Sequence, residues 1–380
     1  MKTTRIISLV LAAAGVLSLT ACGEKDGSSA NVSSPPNSSG SSRTNIQSVI
    51  KPQGSSSDTQ VTASGSSASL PESSAASAAV SSPPISGDGV ISGAELILDS
   101  GRSIMLSSTS AENGASYAKS VNQYKEKFPD VNMYSLIVPT AISYYLPDKF
   151  KEYDPDEKGH IDAINAQLRG ITPVDVYSAL AKHTDEPIYF NTDHHWTQLG
   201  AFYGAEEFAK TAGVDFKPLS EFDKKSAGEF VGSAYGNSSE DPKILDLAEE
   251  FIYYVPKSGY STTFYDLDGT NGIPFFYFVN PDELDKFGMY SLYMYGDLHI
   301  VRLNTECKNG RKLLIIKEAF ANPFCCNLVN SFEEIWIADM KYMETTATKL
   351  INDNGITDLL FCLSTFSTSG TNQEFLSEVM

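Results

Sequence analysis

Aromatic residues are missing from a long stretch of this 380-residue chain. Residues 23–89 contain no Phe, Tyr or Trp, and 22 of those 67 positions are Ser. Such a segment cannot bury enough apolar surface to offset its ordering entropy, which excludes a folded domain there. Basic residues are scarce too, at 28 Lys and Arg against 47 Asp and Glu. Five of each sign cancel in residues 1–89, so the net charge of −19 falls wholly on residues 90–380. That excess excludes nucleic acid and argues against adsorption to anionic lipid, both of which need Lys/Arg clusters. A neutral sugar polymer, a cation or another protein remains open. The cysteines beyond Cys22 are Cys307, Cys325, Cys326 and Cys362. They lack the paired spacings of a zinc site, so buried free thiols are expected. His160, His183 and His299 have no ligand spacing either, and no metal or cofactor is expected.

Long apolar runs are also absent. Residues 6–19 form a run of 14, short of the ~20 that a spanning helix requires. The run follows Lys2 and Arg5 and ends in Leu19-Thr20-Ala21-Cys22-Gly23. This order resembles a bacterial lipobox, which implies cleavage before Cys22 and lipidation of its sulfur. Residues 1–22 are then a lipoprotein signal peptide, and the lipid bilayer is a partner through acylated Cys22. The expected location is the extracytoplasmic face of the bacterial cell membrane. Residues 23–89 read as a disordered Ser/Pro/Ala-rich tether with an r.m.s. span of roughly 45 Å.

Residues 90–380 hold all 41 aromatics and suit one large domain. Apolar runs bounded by polar or turn residues predict buried strands at 133–138, 188–190, 313–316, 334–337 and 358–363. Helical spacing appears at 117–128, 161–168, 174–182, 200–212 and 343–352. The alternation predicts an α/β fold, a doubly wound and mostly parallel sheet with its active residues in loops beyond the strand C-termini. Residues 214–310 interrupt it and read as an aromatic-rich β insertion between the two halves of the sheet. Those aromatics either form the insertion's own core or offer a surface that stacks on sugar rings.

Two segments carry chemistry. The first is Asp193-His194-His195-Trp196-Thr197, leading from an expected strand into a helix. Asp193 and His195 are two apart and can converge in an extended turn. A carboxylate accepting from one imidazole nitrogen leaves the other free as a general base. The same spacing suits a capping Asp193 or Thr197 with packed histidines, and spacing alone leaves both readings open.

Asp193-His194-His195-Trp196 resembles the signature of the bacterial DHHW family. That family is similar to the SGNH-hydrolase-like O-acetyltransferases that modify alginate and other surface polysaccharides. The resemblance implies an SGNH-like domain, a catalytic dyad of Asp193 and His195, and a serine nucleophile arriving much later in the chain. It also implies a cell-envelope polysaccharide or glycan as partner, with His194, Trp196 and Asn322 on the substrate side.

The second segment, Leu313-Leu314-Ile315-Ile316-Lys317-Glu318-Ala319-Phe320, runs from a buried strand into a turn, the usual stage for a nucleophile. Relatives read Lys-Asp-Ser here, whereas this chain has Lys317-Glu318-Ala319. A methyl group cannot attack an acyl carbon, so acyl transfer through a serine is blocked at Ala319. The expectation is a catalytically impaired relative that binds an envelope glycan or scaffolds an envelope complex. The alternative is an active O-acetyltransferase or esterase in which Asp193–His195 activates water, or in which another hydroxyl such as Ser364 or Ser367 takes over.

Overall fold

A computed structural model describes residues 87–380. The expected signal peptide, the expected lipidation at Cys22 and nearly all of the expected tether lie outside the described residues. Among those described, no helix is long and apolar enough to cross a membrane.

Thirteen strands occur among the described residues. In chain order they are β1 (Gly89–Ser92), β2 (Glu95–Leu98), β3 (Arg102–Met105), β4 (Asn132–Val138), β5 (Thr172–Pro173), β6 (Phe222–Phe230) and β7 (Glu249–Pro256), followed by β8 (Tyr260–Tyr265), β9 (Ile273–Phe275), β10 (Ile300–Thr305), β11 (Lys312–Lys317), β12 (Glu334–Asp339) and β13 (Asp358–Ser364). β1–β3 form an antiparallel meander, and β6–β7 a separate ribbon. The remaining eight make one sheet in the order β5-β4-β13-β11-β12-β10-β8-β9. Pairing is parallel from β5 to β12 and antiparallel from β12 to β9.

Side chains alternate across a strand, so β11 feeds two cores. Leu313 and Ile315 pack with Phe208 and Ala205 of the helix Gln198–Ala212. Leu314 and Ile316 pack with Tyr117 and Val121 of Ala111–Lys127 and with Leu350 of Ala347–Asn354. Burial on both faces is why these central strands read as unbroken apolar runs. The helices begin where side chains satisfy their free N–H groups: Ser110 accepts from Asn113 N, Thr197 from Gly200 N, and Thr346 from Lys349 N. Thr197, not Asp193, is therefore the cap after the Asp-His-His-Trp run.

Two expectations change. Residues 188–190 do not join the sheet. Tyr189 pairs instead with Trp196 of its own return segment, and Thr197 N donates to Ile188 O at 3.0 Å. The chain folds back on itself locally and carries Asp193–His195 at the tip. Gly200 permits this, because a Cβ there would collide with Ile188 O. Residues 214–310, in turn, are not confined to a separate β element: β8–β10 extend the main sheet, and only the β6–β7 ribbon stands apart. Their aromatics supply core, with Phe251, Phe264, Tyr277 and Tyr293 buried, whereas Phe276 is 75% exposed. Cys325, Cys326 and Cys362 are buried free thiols, and Cys307 is half-buried.

Candidate functional site

The turn that carries the histidines is held by residues distant in sequence. Glu249 Oε1 accepts from Asn191 N at 2.6 Å, Thr192 N at 3.0 Å and Thr192 Oγ1 at 3.1 Å. Arg102, buried in β3, donates to Tyr189 O and Phe190 O at 3.3 and 3.0 Å and stacks over Tyr145 at 4.2 Å. Gly232 N and Ala234 N donate to Thr192 Oγ1 and O. Spacing carries no signal for these supports.

Within that frame, Asp193 and His195 converge. Asp193 Oδ1 lies 2.5 Å from His195 Nδ1 and also accepts from His195 N at 2.9 Å. Its Oδ2 accepts from Ser233 N at 2.8 Å. Burial alone would raise the Asp193 pKa, but His195, His194 and the Ser233 N–H override it and hold the carboxyl below the ordinary range. Nδ1 of His195 thus carries the proton and Nε2 the lone pair. His194 Nδ1 lies 2.6 Å from Ser233 Oγ. Burial, with His195 adding to it, pushes the His194 pKa down to about 3.

The second segment meets the first from β11. Glu318 Oε1 accepts from Ser364 N at 2.6 Å, and Ala319–Ala321 forms a single 3-10 turn. The Phe320 ring lies 4.6 Å from that of His195. Trp196 Nε1 donates to Phe320 O at 2.6 Å. Tyr290 spans both segments: its ring stacks on His195 at 4.1 Å and 15°, and its hydroxyl donates to Ala319 O at 2.9 Å. Half-buried Ala319 is therefore one peptide from a ring that touches His195, and the two share Tyr290. Beneath the turn, fully buried Lys317 pairs with Asp297 and, at 3.2 Å, with Asp339. Burial would lower the Lys317 pKa, but these two carboxylates raise it instead.

Of the residues expected on the substrate side, His194 is half-buried, its ring 5.9 Å from that of Phe366. Trp196 is 0% exposed and stacks on Phe324, so it secures the turn from within the core. Asn322 is 1% exposed; its Nδ2 donates to Asp297 Oδ1 at 2.9 Å, while its Oδ1 is buried without a partner. The alternative hydroxyls are enclosed as well. Ser364 and Ser367 are both fully buried, and Ser364 Oγ caps the helix Thr365–Ser369 by accepting from Ser367 N. Tyr290, which sequence reasoning missed, lies in an aromatic-dense stretch that offers no positional cue.

Asp193, His194 and His195 each present a potential ligand atom within 4.8 Å of the others. The two imidazoles are tilted at 34° with their centres 4.0 Å apart, and His194 Nδ1 is engaged by Ser233 Oγ. Asp193 is already hydrogen-bonded to His195. This arrangement fits a hydrogen-bonded dyad better than a metal centre.

A family model described as "DHHW protein" matches residues 96–338. A DHHW family protein from Eubacterium siraeum DSM 15702, solved by crystallography, is 37% identical, with a TM-score of 0.73 over 78% of this chain and 99% of that one. Bacillus cereus PatB1, solved with a sulfonyl adduct, is 20% identical, with a TM-score of 0.60 over 73% of this chain and 98% of that one. That second likeness is one of fold, SGNH-like, with the mostly parallel sheet described above. No curated protein matches the chain.

Proposed function

The chain belongs to the DHHW protein family, and from that premise we propose that it is an extracytoplasmic lipoprotein, anchored through Cys22, whose SGNH-like domain is a catalytically impaired relative of polysaccharide O-acetyltransferases. Its role on this reading is to bind a cell-envelope glycan or to scaffold an envelope complex. The observation that carries the proposal is the contrast at the site. The Asp193–His195 pair has the geometry of a working general base, while Ala319 stands in the strand-to-turn position of a nucleophile. A base with no nucleophile to deprotonate loses most of the rate. The net charge of −19 favours a neutral or amine-bearing glycan over a polyanionic one.

The intact dyad also favours a second reading, in which His195 activates water to cleave an ester directly. A paired assay separates the two. Full-length protein and its Ala319→Ser variant are tested on acetylated sugars, and binding of deacetylated glycans is measured alongside. Impairment predicts negligible turnover by the wild type, measurable turnover after Ala319→Ser, and glycan binding by both. Wild-type turnover that Asp193→Asn abolishes would establish the water route instead.

A further inference from the structure

We propose that His195 itself accepts an acyl group at Nε2, forming an acyl-histidine from activated esters or thioesters. This rests on the reading of the site as an acyl-handling cleft, but it assigns the nucleophile to a different atom from the one the family's pattern supplies.

Three observations carry it. Asp193 occupies the Nδ1 edge of the imidazole, which places the lone pair on Nε2. Among the described residues, Nε2 has no hydrogen-bond partner, nor is it one of the fully buried polar atoms left without one. The ring faces are covered by Tyr290 at 4.1 Å and 15° and by His194 at 4.0 Å and 34°. The Phe320 ring packs on the imidazole as well, at 4.6 Å and 54°, so access to His195, 7% exposed, is narrow and suits a small acyl group. Ala319 offers only a methyl group.

The step balances with water as the sole co-reactant. The Nε2 lone pair adds to the carbonyl carbon, the C–N bond forms, and the C–O or C–S bond of the donor breaks to release its anion. The Nδ1–H of the resulting acyl-imidazolium stays bonded to the Asp193 carboxylate, which stabilises the cation. Water then adds to the acyl carbon, the C–N bond breaks, and the carboxylic acid and a proton leave, restoring His195. Leaving-group chemistry sets the substrate class. An alkoxide is a poorer leaving group than imidazole, so a sugar acetate expels the imidazole again, whereas a phenolate or thiolate departs.

The test uses full-length protein with p-nitrophenyl acetate, quenched in mild acid and mapped by peptide mass spectrometry. One acetyl group should appear on His195, resolved from the adjacent His194 by fragment ions, at least about tenfold faster than on His194, His183 or His299. Hydroxylamine should remove it, and His195→Gln should abolish both the label and the burst of phenolate. Asp193→Asn should slow labelling by at least about tenfold, because the tautomer and the cation lose their partner. Labelling of His183 as fast as His195, or a burst that survives His195→Gln, overturns the proposal. The wild-type map needs no variant, so a misfolded His195→Gln protein leaves the test intact. Glycan binding without acetyl-His195 refutes only this inference, while acetyl-His195 without glycan binding refutes only the binding role.

Discussion

Glu95 offers a quantitative check on how the dyad is supported. It lies in β2 at 1% exposure, and its carboxylate accepts from Ser103 Oγ at 2.6 Å and from Asn237 Nδ2 at 3.1 Å. Burial pushes its pKa from 4.5 up to about 7; the two hydrogen bonds oppose the rise, and the nearby Asp193 charge adds to it. The native state therefore holds a proton that the unfolded chain releases. The stabilisation is fully present below pH ~4.5, declines as the pH rises and is gone above pH ~7. At ~1.4 kcal/mol per pK unit, the loss is about 3 kcal/mol. Glu95→Gln removes the titration while keeping both partners, because Gln has an acceptor for Asn237 and a donor for the Ser103 hydroxyl. Urea unfolding of full-length protein and variant at pH 5, 6, 7 and 8 should show curves that diverge, the wild type losing about 3 kcal/mol relative to the variant. Taking the difference matters. Glu249, also raised to about 7 by burial, lowers stability over the same range, and the depressed pKa of His194 acts in the opposite sense below pH ~6.5. Parallel curves for the two proteins would refute the reasoning.

Three further outcomes are expected. A Cβ at position 232 would collide with Asp193 Cβ and lie 2.5 Å from its Oδ2, so Gly232→Ala should cost about 1–3 kcal/mol and erase the low-field NMR resonance of the His195 Nδ1 proton; an unchanged resonance would contradict the close approach. Trp196→Phe leaves Phe320 O without its 2.6 Å donor and opens space beside Phe324, so it should lower stability by about 2 kcal/mol or more in chemical denaturation. If Trp196 were instead a ligand contact, that variant would weaken glycan binding with little loss of stability. Cys22→Ser should move the protein from the membrane fraction to the soluble fraction, and retention in the membrane would remove the lipid anchor from the proposal.

Much of the α/β core is legible in the residues alone. β4, β11, β12 and β13 are buried on both faces, so burial leaves largely apolar runs that need no tertiary knowledge to find. The Asp-His-His-Trp run and the Lys-Glu-Ala turn were visible too, because in each the chemistry sits within a few consecutive residues. The short run 188–190 has the pattern of a sheet strand because its apolar side chains do face a core. Whether its backbone pairs with the sheet or with its own return segment depends on Gly200 and Thr197, which lie further along.

Sequence by itself determined the alternating core, the acidic surface, the separate composition of residues 23–89 and the methyl group at position 319, since each is a local property of the chain. Tertiary structure alone decided which groups hold the dyad. Arg102 reaches Phe190 across 88 positions, Tyr290 reaches Ala319 across 29, Ser233 reaches Asp193 across 40, and Glu249 reaches Thr192 across 57. Such contacts leave no periodicity or spacing in the sequence, because they arise only when the sheet edge and the insertion close on the same turn. Tertiary structure also moved Trp196 and Asn322 from the substrate side into the core. An indole N–H or a carboxamide is as suited to a buried carbonyl or carboxylate as to a ligand, and only the packing around it selects between them.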